Sequence, residues 1–451
     1  MLKHILILIA VVTPAAVAHA QNNGQGGQGQ GGNQFPGGIL INPDGVVGVP
    51  DARRINPGLE QKRLQALASQ QLPGDMTTAS ELRKVSLVRL EQEIQEQIDA
   101  GKTISAPLRY LAGITQLEYI FAIPETNDLV IAGPAEGFAA LADGRVVGVE
   151  TGRPVLTLDD LLVMLRLRTT NTQLGCSFDP DPTRLAAAEA WNRANSSPAR
   201  AAVARQRFYQ MANVLGNWDV TVFGLPPESH AAITTVEADF EMKRLALGLY
   251  KPAIRGFLSH LDLAKPGENT MRRWWFSPRY DVIERSADHR AFHLAGPRLQ
   301  LLSQEELVDS QGNRSDAAFS EISTERYTRQ FNKHMPVLCE QIPAFAGIQN
   351  LFDLAVAVAL IRNNNLLKAV GWQPTLLLDE DRLPVQKYTV PRATRSLVNV
   401  KSARRGLLLG KISGGVTIVP DRVIARGNVV QSESLPNVRP PEEAGRHWWW
   451  D

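Results

Sequence analysis

Apolar residues recur every three to four positions from 60 to 72 and again from 78 to 98, the spacing that lines one face of a helix. In the second stretch Leu82, Val85, Leu90, Ile94 and Ile98 form the apolar stripe, while Glu91, Glu93, Glu96 and Asp99 load the other side. Thr78 or Ser80 is the expected N-cap and Gly101 the expected stop. The period then drops to two. Residues 117–123 and 128–132 read as the strands of a hairpin turned by Pro124-Glu125-Thr126-Asn127, and Asp143-Gly144 turns the chain into a strand at 145–149. Residues 158–167 return to helix, so 59–168 reads as one α+β module.

A second unit opens at Gly175, where Pro180 and Pro182 argue against regular structure and Thr183 is placed to cap the next helix. Helices are expected at 184–194, 198–215 and 227–249, with a short strand at 220–223. Strands are expected at 272–276, 281–285, 291–294 and 299–302; helices resume near Phe319 and run to Leu367, broken at Pro336 and Pro343. The segment 351–361 is apolar nearly all round, which predicts a central core helix; its shortness and Asp353 argue against a membrane span. Beyond Pro374, strands are expected at 376–378, 397–400, 406–409 and 416–419, with Gly414-Gly415 as a turn. The organisation predicted is α+β: the module at 59–168, a mixed core domain at 172–372, a β-rich segment at 373–430 and a polar tail at 431–451 that ends in Trp448-Trp449-Trp450-Asp451.

The first twenty residues differ from everything after them. Lys3 and His4 precede an apolar run at 5–12 that is too short to span a bilayer, and Ala18-His19-Ala20 offers the small residues of a signal-peptidase site. The mature chain is expected to begin near Gln21, which predicts an exported protein, periplasmic or extracellular, without a transmembrane segment. Residues 21–58, rich in Gly, Gln and Pro, read as a flexible spacer. A chain of 451 residues exceeds the roughly 250–300 that one core supports, so several folded units are expected. The formal charge of +2 gives no reason to invoke nucleic acid or an anionic membrane. Cys176 and Cys339 either form one disulfide or stay as separately buried thiols. The bridge would close a loop of about 160 residues, worth about 4–5 kcal/mol on the chain-entropy account.

Five strings resemble an uncharacterised family of exported proteins, a domain of unknown function found chiefly in planctomycete bacteria. They are 127–137 (NDLVIAGPAEG), 151–156 (TGRPVL), 237–244 (EADFEMKR), 274–276 (WWF) and 350–356 (NLFDLAV), in that order, with the Trp-rich terminus in addition. The resemblance covers most of 80–425 and implies a cell-envelope or secreted setting. It brings no activity, substrate or catalytic residue.

Candidate chemistry is sparse. Glu237, Asp239, Glu241, Lys243 and Arg244 crowd one predicted helix whose apolar stripe is Ile233, Val236, Phe240 and Leu247. Asp239 and Lys243 are spaced to pair on the surface, and Glu237 and Asp239 point about 200° apart, so a solvated face is the plainer reading than an acid/base couple. On a strand, Arg273 and Trp275 share one face and Arg272, Trp274 and Phe276 the other; Arg273 with Trp275 is the candidate ligand-binding pair, against a core-filling alternative. Asp353, in its apolar helix, is the candidate for a perturbed pKa. The histidines, His289 and His293 included, carry no metal-binding spacing, and no cofactor fingerprint is present, so neither metal nor cofactor is expected. The Trp cluster docks on a partner or folds back on its own domain. These features predict a non-enzymatic binding or structural protein of the bacterial cell envelope, whose partner is an envelope protein or glycan. The alternative is a hydrolase of envelope polymers working through Asp353 and Glu237.

Overall fold

Ser86 divides a strand from a helix near the start of the described chain. After helix α1 (Pro57–Gln71), residues Ser80–Ser86 form strand β1, and the Ser86 hydroxyl accepts from the Arg89 N–H to cap α2 (Leu87–Asp99). The helical reading of 78–98 is therefore half wrong. Leu82 and Val85 sit three apart by coincidence, and what makes this stretch a strand is a partner far along the chain. In the computed structural model the described residues are 57–197, 199–265, 271–308, 314–316, 318, 320–403, 406–410, 412–425, 427–435 and 449–450. The leader at 1–20, all but the end of the spacer, Trp448 and most of the tail lie outside them.

The expected hairpin is present as β2 (Tyr119–Ile123) and β3 (Asp128–Ala135), with Asn127 at φ 53° closing the turn. β1 pairs antiparallel with β3. β4 (Phe138–Ala140) and β5 (Val146–Gly148) make a small ribbon across the Asp143-Gly144 turn, and α3 (Leu158–Leu165) comes after it, capped by Thr157. Contrary to the expectation from its prolines, Leu174–Pro180 is a strand, β6. Pro180 is its last residue and Pro182 the first of α4 (Pro182–Ala194), positions where a missing N–H costs nothing, and Asp181 rather than Thr183 caps the helix. Then come α5 (Ala201–Leu215), β7 (Asn217–Phe223) and α6 (His230–Ala246). Next are β8 (Met271–Arg279), β9 (Val282–Arg285), β10 (Ala291–Ala295), β11 (Arg298–Val308) and β12 (Arg314–Asp316). Helices α7 (Ile322–Lys333), α8 (Met335–Gln341) and α9 (Pro343–Asn363) precede β13 (Ala393–Arg395), β14 (Asn399–Ala403), β15 (Gly406–Gly410), β16 (Ile412–Ile418) and β17 (Val429–Gln431). Residues 376–378, expected as a strand, lie in turns.

The fold is α+β, and its sheets cross the boundaries drawn at 168 and 372. One sheet runs β1-β3-β2-β10-β9-β17; the other runs β12-β11-β8-β16-β6-β7-β13. The first takes strands from the supposed core domain, and the second takes β13 and β16 from the supposed β-rich segment. One apolar core runs through α2, α3, α6, α9 and both sheets. β16 lies between β8, to which it is parallel, and β6, to which it is antiparallel. Gly414 and Gly415, expected as a turn, are thus the middle of a central strand.

α6 packs on β16, β6 and α9, and α9 packs in turn on α3 and β11. α9 has 21 residues, long and apolar enough by length and composition to cross a bilayer, but 94% of its most apolar window is buried inside the protein. The central-helix expectation holds, over a longer span than 351–361. Cys176 on β6 and Cys339 on α8 are separate buried thiols, each pushed up to about 12 by burial, and no disulfide joins them. Trp450 forms a bridge with Val85, the Trp449 carbonyl accepts from the Ser86 N–H at 2.8 Å, and the Arg83 guanidinium lies 5.1 Å from the Trp450 ring. Of the two fates open to the Trp cluster, these two residues take the second and fold back on β1.

Candidate functional site

His230, Thr234 and Glu237 succeed one another at four and three residues, so they stand in one row along α6. That row is one wall of a cavity of about 660 Å³, within the range of small-molecule sites. Arg109 and Tyr110 reach it from the end of a one-turn helix, Ala106–Arg109. Asp143 and Arg145 come from the turn between β4 and β5, and Thr157 and Asp159 from the start of α3. Ala344 and Gly347 close the side toward α9.

The last wall, Pro384 to Gln386 with Tyr388, comes from a segment without helix or strand between Gln373 and Arg392. Long irregular stretches inside compact folds are commonly functional. Two anchors hold this one, the buried Glu91 and the half-buried Arg166. The Glu91 carboxylate accepts from Trp372 Nε1 at 2.7 Å and from the N–H groups of Leu376 and Leu377 at 2.7 and 3.0 Å. Arg166 donates to the carbonyls of Leu377, Asp379 and Leu383. The helical pattern places Glu91 on a solvated face; it is buried because the segment beyond α9 lies over it.

The polar groups of the cavity are mostly tied to one another. His230 Nδ1 and Asp160 Oδ2 are 2.8 Å apart, so the N–H of that nitrogen donates to the carboxylate and Nε2 is left to offer a ligand. Burial draws the His230 pKa down, but Asp160, with Asp159 and Glu237 nearby, outweighs it and the value stands above 6.5. Arg145 donates to Glu237 at 2.8 Å and to Asp143 at 3.0 Å. Asp159 is different. Among the described residues its carboxylate takes one hydrogen bond, from the Gln386 N–H at 3.4 Å, and burial with the adjacent Asp160 charge pushes its pKa up. Tyr388, whose ring centroid is 5.4 Å from that of His230, and Tyr110 both have pKa values raised, chiefly by burial.

The His230–Asp160 pair has a definite pH signature. A histidine whose folded pKa exceeds its unfolded value stabilises the fold fully below about pH 6.5, and the contribution is lost as pH rises through the folded pKa. Asp160→Asn is expected to lower the His230 pKa in an NMR titration. It should cost about 1.5–3 kcal/mol at pH 5.5 and clearly less at pH 8. A His230 titration unmoved by the substitution would refute the pairing.

Of the candidate site residues read from the sequence, only Glu237 lines the cavity. Asp353 is fully buried elsewhere: Tyr280 OH donates to its Oδ1 at 2.8 Å, Arg298 Nε stands at 3.5 Å, and burial pushes its pKa up to about 7 against the pull of those two groups. It braces α9 against the β8–β9 turn and the start of β11, so it cannot share a substrate with Glu237. The surface pairing of Asp239 and Lys243 is corrected too, since both are buried on the opposite side of α6. Trp274 and Phe276 fill the core as the alternation required, and Arg273 lies 4.7 Å from the Trp275 ring and 3.7 Å from Asp179 on the other face of the sheet, outside the cavity. Among the described residues no group of three or more His, Cys, Asp or Glu side chains is placed to hold a metal ion; His293 instead pairs with Glu284 at 2.6 Å.

Residues 176–257 match a family model described as a protein of unknown function, DUF1598. The match spans β6 to just beyond α6, so it takes in His230, Glu237 and the Asp239–Lys243 pair. No curated protein and no solved structure matches the chain. The segment is thus similar to an uncharacterised domain family, which brings no activity with it. Sequence reasoning does not find His230, Asp159, Asp160, Arg145 or Tyr388. A faint signal exists in the His230, Thr234, Glu237 spacing along a helix otherwise rich in apolar residues; none exists for Arg145 and Glu237, 92 residues apart.

Proposed function

We propose that this is an exported binding protein of the bacterial cell envelope that holds a small polar ligand in the cavity between α6, α3 and the segment 384–388. The observation that carries the reading is the cavity of about 660 Å³ whose polar groups are for the most part held by one another. Preorganised polar groups in a concave site lower the ordering cost of binding. The leader-like first twenty residues and the resemblance to exported planctomycete proteins support the setting. Sequencing the N-terminus of the protein from its native host should find it starting near Gln21; an intact Met1 would remove the export half of the proposal.

Thr234→Phe tests the other half. The new ring would occupy the cavity beside Gly347, whose added Cβ would already meet Thr234 Cγ2 at 3.2 Å. A thermal-shift screen of sugars, amines, amino acids and organic acids is expected to find ligands that stabilise the unaltered protein by several degrees and leave Thr234→Phe unmoved. Equal shifts in both proteins would place binding elsewhere. The hydrolase reading has no support in the geometry, because Glu237 and Asp353 belong to separate sites.

A further inference from the structure

The charges around this cavity do not balance. Arg145 is shared by two carboxylates, Asp143 and Glu237, which leaves that group one negative charge in excess. His230 and Asp160 cancel when the imidazole is protonated and add a second negative charge when it is not. Asp159 has no ion pair within the described residues and only the long Gln386 contact, while Arg109, the remaining cation of the lining, is exposed to solvent and screened. A half-buried carboxylate that faces a cavity with no ion pair of its own, only the longer-range pull of His230 and Arg109, is a group that a ligand completes. Two aromatic rings, Tyr110 and Tyr388, stand in the same lining, with electron-rich faces that also favour a cation.

We infer that the ligand is a small organic cation, a primary amine whose ammonium group is received by the Asp159 carboxylate and whose body lies among Tyr110, Tyr388 and His230. The inference rests on the cavity being the ligand site, as proposed above. An anion would meet the same surplus of carboxylates and be rejected. A neutral ligand would cover the half-buried Asp159 without pairing its charge, so it binds the more weakly of two compounds of equal shape. Burial and the neighbouring Asp160 push the Asp159 pKa up, the condition an ammonium relieves.

Matched probes separate charge from shape. Glucosamine, glucose and glucuronate share one ring; benzylamine, benzyl alcohol and benzoate share another. Calorimetry on the full mature chain at pH 7.5 is expected to give each amine an affinity about tenfold or more above its neutral twin, with the acids weakest. Asp159→Asn, which keeps the shape of the side chain, should bring amine and alcohol within about twofold of each other while the alcohol binds as before. Neutral or acidic probes that bind as well as the amines would overturn the amine inference and leave the cavity reading standing. An amine preference that survives Asp159→Asn would overturn the role of Asp159. If no probe binds up to millimolar concentration, or if all bind Thr234→Phe equally, the cavity is not the ligand site and both proposals fall.

Discussion

Gly414→Ala is expected to abolish folding. Gly414 sits in the middle of β16 at φ +133°, a conformation that side chains rarely adopt, and an added Cβ would lie 1.7 Å from the Trp274 carbonyl oxygen and 2.6 and 2.7 Å from the carbon and nitrogen of the same residue. All three atoms are backbone of the neighbouring strand, so no rotamer change relieves the overlap. β16 must move away from β8, and that opens the seven-stranded sheet at its centre, above the buried Trp274 and Phe276. Gly415 closes the other side, since its Cβ would lie 1.9 Å from the Cys176 carbonyl oxygen on β6. The expected loss exceeds about 5 kcal/mol, the range of whole-protein stability, and should appear as insoluble expression or absent cooperative unfolding. Gly58→Ala is the control: nothing lies within 4 Å of its added Cβ, it sits in α1, and it should be neutral or stabilising by up to about 1 kcal/mol. A folded, cooperatively melting Gly414→Ala protein would refute the place given to β16.

Lys243→Met is the second large effect. Lys243 and Asp239 are hydrogen-bonded within α6, both buried, with the Lys243 ammonium 3.9 Å from the centre of the Phe178 ring. Burial lowers the Lys243 pKa and pushes Asp239 up to about 6, each against the pull of the other. Removing one member of a buried pair leaves a charge in a medium that cannot solvate it, which costs about 3–5 kcal/mol. The pH dependence gives the cause away. A carboxyl whose folded pKa lies above its unfolded value penalises the fold as pH rises through that folded pKa, and costs nothing when both states are protonated. Without Lys243 the Asp239 value rises further, so the loss in urea unfolding should be largest near pH 8 and small near pH 4. Replacing both residues, as Asp239→Leu with Lys243→Met, should recover most of the loss, because an apolar pair has no charge to desolvate. A single variant as stable as the unaltered protein at pH 8, or a double variant as poor as the single one, would sink this account.

These residues show how far local pattern reaches. The hairpin at Tyr119–Ala135 is legible because its strands alternate and its turn carries Pro124 and Asn127, and Asn127 adopts the left-handed conformation such a turn requires. The core position of the long apolar helix is legible because it has no polar face. Charge density alone puts Glu237, Asp239 and Lys243 in solvent, yet α6 is covered by a sheet on one side and by α9 and the cavity on the other. A helix packed on all sides hides its charges in pairs, and the partners of such pairs can be remote: Asp160 lies 70 residues from His230.

What the chain determines by itself is set by neighbours within a few positions. The left-handed stop at Gly101 and the face on which Trp274 and Phe276 are buried arise from backbone sterics and side-chain period, whereas the cap of α2 fell on Ser86 and not on Thr78 or Ser80, because the stretch before it pairs with β3. Tertiary structure decided the rest. It made a strand of Ser80–Ser86 because β3 was there to pair with it, and a central strand of the Gly414-Gly415 stretch because two backbones approach it too closely for any side chain. It also gathered a carboxylate from α3, a histidine from α6 and a tyrosine from beyond α9 around one cavity. Such contacts depend on the mutual placement of segments far apart along the chain, and nearest-neighbour preferences carry no record of it.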